Sequence, residues 1–301
     1  MADPVREFTV SDRAAGPYAL AEGADGALWF TLVHQGAIGR RGADGRVTTH
    51  PVGAGPTVIT PGPDGALWFT EYRSHRIGRL TTDGRASSFD VSSSDASSPD
   101  LPSAEPGPYG IAPGPDGALW FTMINAGRIG RIAVDGKVTH FPAPGAFPSA
   151  ITAGPDGAMW CTLNQDHAIG RITMTGETTV HPLPTEAAAP VGITAGPDGA
   201  LWFTEIGAGQ IGRITTDGAI TEYPLPDRTA RPHAITAGPD GALWFTEWGR
   251  GHVGRITVDG RISSYPLPTG STSEPHGITS HDGALWCALE TGALARVEVP
   301  A

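Results

Sequence analysis

Glu274, His276 and Glu290, together with His233 and Trp248, are the residues of this 301-residue chain whose types and spacing could do chemistry. Two carboxylates beside two imidazoles suit the holding of a divalent cation and the transfer of a proton. A hard cation such as Mg²⁺ usually takes one or two carboxylates and completes its shell with water. An imidazole can act as a base near neutral pH or orient a bound molecule. These residues stand out because each breaks a pattern that the rest of the chain keeps.

The pattern is a repeat, and a fixed period is the first thing to look for in a long Gly-rich chain. Seven tryptophans, Trp29, Trp68, Trp120, Trp160, Trp202, Trp244 and Trp286, share an Ala-Leu/Met-Trp context and are spaced 39, 52, 40, 42, 42 and 42 residues apart. The unit runs Pro-x-Gly-Ile-Thr, Gly-Pro-Asp-Gly-Ala-Leu-Trp-Phe-Thr-Glu, Ile-Gly-Arg-Ile-Thr-x-Asp-Gly, Ile-Thr-x-Tyr-Pro. It reads as four short strands: Gly192–Ala195, Leu201–Thr204, Ile211–Ile214 and Ile220–Tyr223 in one copy. Asp198-Gly199 and Asp217-Gly218 are the turns, the first read as a type I′ hairpin loop, and Pro224 ends the last strand. Four strands per roughly forty residues is the period of a β-propeller blade. No stretch shows helical spacing with caps. The expectation is one all-β domain over 1–301, a seven-bladed β-propeller of four antiparallel strands per blade.

The ends fit that ring. The seventh copy stops after Leu294–Val299 without a fourth strand, and Val5–Val10 has a fourth strand's pattern ahead of the first Pro17. The N-terminal strand is therefore expected to complete the last blade, which removes an exposed sheet edge. The 52-residue interval comes from 90–105, rich in Ser, Asp and Pro, read as a surface insertion between blades.

Against this scaffold the exceptions can be placed. The residue after the Pro that opens each copy is Tyr18, Thr57, Tyr109, Ser149, Val191, His233 or His276, and the residue before it is Gly16, Gly55, Gly107, Phe147, Ala189, Arg231 or Glu274. Four residues after each repeated tryptophan come Val33, Tyr72, Ile124, Asn164, Ile206, Trp248 and Glu290. In both of the latter registers only the seventh copy has a carboxylate. The start of a first strand and the end of a second lie at one end of an antiparallel hairpin, so His233, Trp248, Glu274, His276 and Glu290 should face one mouth of the ring. Solvated or capping loop residues would account for the same five, and spacing alone leaves both readings open. The seven arginines of Ile-Gly-Arg and the recurring Glu71, Glu205 and Glu247 are read as scaffold. His34, His75, His167 and His252 are read as surface residues between second and third strands, and Cys161 and Cys287 as small buried hydrophobes.

Composition sets limits. Gly (42) and Pro (28) recur in register and so mark turns rather than low complexity. A net charge of −11 argues against nucleic acid, since nothing would neutralise a phosphate backbone. No run of 18 apolar residues is present, which argues against a membrane helix. With no apolar signal core near Met1, the expected location is the cytoplasm.

The segments Arg231-Pro-His-Ala-Ile-Thr-Ala-Gly238, Leu243-Trp-Phe-Thr-Glu-Trp-Gly249 and Glu274-Pro-His-Gly-Ile278 resemble the virginiamycin B lyase (streptogramin B lyase) family, and the resemblance runs from Gly16 to Glu290. It implies a cytoplasmic, monomeric, Mg²⁺-dependent enzyme. Such an enzyme opens a cyclic depsipeptide antibiotic by elimination at its ester linkage, giving antibiotic resistance. By the same resemblance Glu274 and Glu290 match metal-binding carboxylates and His276 a proton acceptor. His233 matches a substrate-contacting histidine, and Tyr18 and Trp248 match aromatic positions near the substrate. The chain departs from its own repeat at Ser280-His281-Asp282-Gly283, at Cys287-Ala288 and at 90–105. The alternatives are a metal-dependent propeller hydrolase of the lactonase type and a non-catalytic ligand-binding propeller.

Overall fold

A computed structural model describes residues 4–53, 55–92 and 106–299. Within them the chain forms seven four-stranded antiparallel sheets set as blades around an axis, with two short 3-10 turns and no helix long and apolar enough to cross a membrane. Blades 1 to 6 are each continuous in sequence. Blade 1, for example, is Pro17–Glu22, Leu28–Leu32, Ala37–Arg41 and Val47–Pro51. Blade 7 is built from Pro275–His281, Ala284–Leu289 and Ala293–Glu298, and Val5–Thr9 supplies its outer strand, with Val5 opposite Val297 and Thr9 opposite Ala293. The expected ring closure by the N-terminal strand is thus observed. Of the 90–105 insertion, Asp90 ends the fourth strand of blade 2, and 93–105 lie outside the described residues.

The repeated residues explain the blade. In blades 1 to 6 the tryptophan is fully buried and its indole N–H donates to the Asp of the preceding turn, as Trp202 does to Asp198 at 3.0 Å. The second oxygen of that Asp takes the Ile-Gly-Arg arginine, Arg213 Nε at 2.7 Å, whose guanidinium lies 5.9 Å from the centre of the Trp202 ring. A fourth-strand aromatic such as Tyr223 stacks on the same indole at 5.5 Å. A buried indole N–H needs a partner, and this set supplies one while tying three strands together.

The Gly-Pro-Asp-Gly turn is not the type I′ loop expected. In blades 1 to 6 only its second glycine has positive φ (Gly199, 74°), and the chain closes through Gly196 N to Ala200 O at 2.7 Å. The turn is longer than a two-residue loop, so the Asp stays outside the left-handed region and is free to bond Trp and Arg. Blade 7 is one residue shorter here, and there Asp282 and Gly283 both take positive φ, 49° and 69°. The shorter turn breaks the set. Trp286 Nε1 is buried without a partner among the described residues, and Arg296 pairs with Glu298 instead.

Neighbouring blades are joined by the Thr of Trp-Phe-Thr or Trp-Cys-Thr. Thr204 Oγ1 accepts the Gly192 N–H of its own blade at 2.9 Å and donates to the His233 carbonyl of the next at 2.7 Å. Thr31, Thr70, Thr122, Thr162 and Thr246 repeat the bridge, the last to the His276 carbonyl at 2.8 Å. Thr204→Val removes both bonds and leaves a buried amide and a carbonyl unpaired. A loss of about 1–3 kcal/mol is expected, read as a lower denaturant midpoint; an unchanged midpoint would show that the bridge carries no weight.

Candidate active site

Each first strand enters the ring through the same backbone device. The residue before the opening Pro has positive φ in every blade: 65°, 62° and 58° at Gly16, Gly55 and Gly107, then 53°, 49°, 52° and 46° at Phe147, Ala189, Arg231 and Glu274. Glycine accepts this region freely, whereas a residue with a side chain there is strained by something on the order of 1 kcal/mol. Blades 4 to 7 carry that strain, and three of the four side chains reach the mouth. Phe147 lines it, Arg231 lies 4.7 Å over the Trp248 ring, and Glu274 stands beside Glu290, which raises its pKa. Immediately after the Pro the ladder shifts register: Pro275 pairs with Leu289, but the next pair is Ile278 with Cys287. The bulge takes His276 out of the pairing and turns it toward the mouth. Glu290 follows Leu289 directly, so the same hairpin end supplies both.

The six residues expected from sequence come together around His276. Its Nε2 lies 2.8 Å from Glu290 Oε1. The Tyr18 ring tilts over it at 4.5 Å between centroids, His233 meets it edge-on at 5.1 Å, and Trp248 lies at 6.4 Å. Beside them opens a depression of about 470 Å³ that Tyr18 and Glu290 line, with largely apolar walls that include Val33, Tyr72, Ile124 and Phe147; His233, Trp248, Glu274 and His276 are not part of its lining. His276 Nδ1, His233 Nδ1 and Trp248 Nε1 are buried atoms with no hydrogen-bond partner among the described residues. Buried polar atoms are normally paired, and at such a cluster the exceptions point to a missing ligand.

Burial sets the charge states. It pushes His276 down to about 4, with Glu274 pulling the other way, and His233 down to about 3, helped by the charge His276 would carry. Both imidazoles are therefore neutral at pH 7. Tyr18 is held well above the ordinary tyrosine value, first by burial, then by Tyr109 and Glu290. Glu274 is raised by its hydrogen bond to Glu290, by partial burial and by Glu290's charge, with His276 opposing. Two carboxylates this close share a proton or a cation. Among the described residues no group of three or more His, Cys, Asp or Glu side chains is arranged to hold a metal. A cation here would take the two carboxylates and complete its shell from water or ligand, a donor set that fits Mg²⁺.

Of the remaining candidates, His34, expected as a plain surface residue, lines the depression at the mouth, and the others lie elsewhere. Glu205 is fully buried, bonded to Gln210 at 2.7 Å and pushed up to about 7 by burial; Glu71 bonds Ser74 at 2.8 Å, away from His276. His75 and His167 are not simple surface residues. Each accepts through Nδ1 the backbone N–H that precedes the next blade's opening Pro, Gly107 at 3.4 Å and Ala189 at 3.2 Å. His252 begins a third strand and bonds Ser264 at 2.9 Å. Cys161 and Cys287 are buried and unbridged, their thiols pushed up to about 12. Sequence reasoning passed over Tyr109, whose hydroxyl lies 2.6 Å from that of Tyr18, and Arg231. The available signal was that both share registers with residues it did select.

The model of the virginiamycin B lyase family matches residues 3–297. A curated virginiamycin B lyase of Streptomyces coelicolor is 79% identical over 52 residues, a stretch that is 17% of the length of either chain. A crystal structure of virginiamycin B lyase from Staphylococcus aureus superposes with a TM-score of 0.91 at 40% identity, over 98% of this chain and 99% of that one. A catalytically inactive histidine-to-alanine variant of the Staphylococcus aureus enzyme, crystallised with quinupristin, gives 0.91 at 41% over the same shares.

The charge states make a prediction. Imidazole NMR should show His276 and His233 protonating well below the ordinary 6.5. Because the folded values are depressed, folding stability is full above pH 6.5 and declines as pH falls from there toward about 4. A His276 midpoint near 6.5 would remove the premise of a buried neutral base.

Proposed function

The chain belongs to the virginiamycin B lyase family, and on that footing we propose that it linearises streptogramin B cyclic depsipeptide antibiotics by elimination at the ester linkage, as a cytoplasmic monomer, a reaction that confers resistance. The observation that carries the reading is His276, buried at the mouth with Glu290 2.8 Å from Nε2 and Glu274 beside that same carboxylate.

The reaction removes the proton α to the carbonyl of the threonine whose side-chain oxygen forms the ester. His276 accepts that proton. The electron pair becomes a carbon–carbon double bond, the bond from the β-carbon to the ester oxygen breaks, and a carboxylate leaves. The product is a linear peptide ending in a dehydrated threonine, with no water consumed. Depressed basicity keeps His276 unprotonated at neutral pH, and Glu290 stabilises the imidazolium that forms. Glu274 and Glu290 would hold Mg²⁺, which when bound supplies a Lewis acid for charge developing on a carbonyl oxygen. His233 and Tyr18 flank the imidazole and orient the macrocycle. Trp248, backed by Arg231, and the apolar walls receive its aromatic groups.

Quinupristin incubated with the protein and Mg²⁺ should keep its mass, change retention and fragment as a linear peptide, and a chelator should abolish the change. A gain of one water mass would instead mark a hydrolase, and an intact macrocycle a binding protein.

His276→Ala should lower turnover by roughly 10²- to 10⁴-fold while the melting temperature stays near wild type. Near-full activity in that variant would end the assignment of His276 as base.

A further inference from the structure

Two of the seven residues that ring the mouth are tyrosines, and they meet across the ring. Tyr18 opens blade 1 and Tyr109 opens blade 3, yet their hydroxyl oxygens are 2.6 Å apart. Blade 2, between them, has Thr57 in the same register. Its short side chain folds back to bond the Gly55 carbonyl at 3.1 Å, which leaves the span clear. Both tyrosines line the depression of the mouth, and both line a second cavity of about 190 Å³ in the channel beneath it. The pair is therefore part of the floor between the two.

In such a pair one hydroxyl donates and the other accepts, and the acceptor's own proton is left free. Burial holds both ionisations above the ordinary tyrosine value, so both protons are present at neutral pH. In either sense the bond ties the Tyr18 ring, whose centroid is 4.5 Å from that of His276, to Tyr109 of blade 3.

We propose that Tyr109 is a positioning residue of the reaction: by hydrogen-bonding the Tyr18 hydroxyl across the ring it fixes the Tyr18 ring against His276, where that ring holds the imidazole and the bound macrocycle in register. Tyr109 itself acts through Tyr18. The inference rests on the lyase reading above.

Tyr109→Phe keeps the ring and removes one oxygen. With quinupristin and Mg²⁺, kcat should fall about tenfold while KM stays within about twofold, the signature of an interaction lost in the transition state. Tyr18→Phe should lose at least as much. In the double variant the second substitution should add nothing, because the effect of Tyr109 passes through the Tyr18 hydroxyl. A general structural role would instead lower both backgrounds by the same factor. An active wild type with unchanged kcat in Tyr109→Phe, or with the same tenfold loss in the Tyr18→Phe background, overturns the inference alone. A wild type that leaves quinupristin intact overturns the lyase reading and this inference with it.

Discussion

One threonine hydroxyl in each of blades 1 to 6 ties the scaffold to the chemistry. The six bridging threonines among the described residues donate to the carbonyls of Thr57, Tyr109, Ser149, Val191, His233 and His276. Those are six of the seven residues that ring the mouth. Each bridge therefore does two things: it fastens one blade to the next, and it fixes the backbone from which a mouth side chain projects. Because Thr Oγ1 also accepts an amide of its own blade, its rotamer is set from both sides. A bulge would ordinarily leave its amide unpaired; in blades 1 to 6 that amide finds the hydroxyl. His276, in the blade without the threonine, is held through its carbonyl by Thr246 of blade 6.

The seventh bridge is missing, because Ala288 occupies the threonine's position. At the same seam the Asp–Trp–Arg set is also lost, since the shortened turn moves Asp282 away from Trp286. Other interactions hold the seam. Val5–Thr9 pairs along Ala293–Glu298, and the Arg41 guanidinium lies between the Phe8 and Trp286 rings at 4.9 and 4.8 Å. His281 reaches Glu22 of blade 1 at 3.0 Å. Arg41 stands where most third strands have Ile or Leu, so this residue swap and the seam are one adaptation. The blade that departs most from the repeat is also the one that supplies Glu274, His276 and Glu290. Broken local rules concentrate where function is placed.

The sequence made the ring legible because seven copies of one unit act as an internal comparison. The tryptophan period, the borrowed strand Val5–Thr9 and the shared mouth of His233, Trp248, Glu274, His276 and Glu290 all follow from register along strands. What lies across the axis did not follow. Nothing in the spacing of Tyr18 and Tyr109, from blades 1 and 3, says that their hydroxyls meet. The conformation of Asp198 was missed for another reason. Asp-Gly favours a loop with both residues at positive φ when it is the whole two-residue loop. In blade 7 the pairing runs on to His281 and Ala284 and Asp282-Gly283 adopts that conformation, whereas the longer turns of blades 1 to 6, and Asp217-Gly218 likewise, place only the glycine at positive φ.

The positive-φ position before each opening Pro shows how a repeat gains a site. Gly16, Gly55 and Gly107 have no side chain there, and a Cβ on Gly16 would meet the His34 ring at 2.5 Å. At Phe147, Arg231 and Glu274 the chain accepts backbone strain and obtains a side chain at the rim. The strain is tolerable because it is local, while the Thr bridge and the opening Pro fix the backbone on either side. For Glu274 the gain is electrostatic. A carboxylate at the rim keeps part of its hydration, and the imidazole beside it, deeper in the bulge, loses its own. The same few ångströms thus hold a neutral base below and a pair of acidic groups above. A single depth of burial could not produce that difference; a residue at the strand entry and another inside the bulge, separated only by Pro275, do.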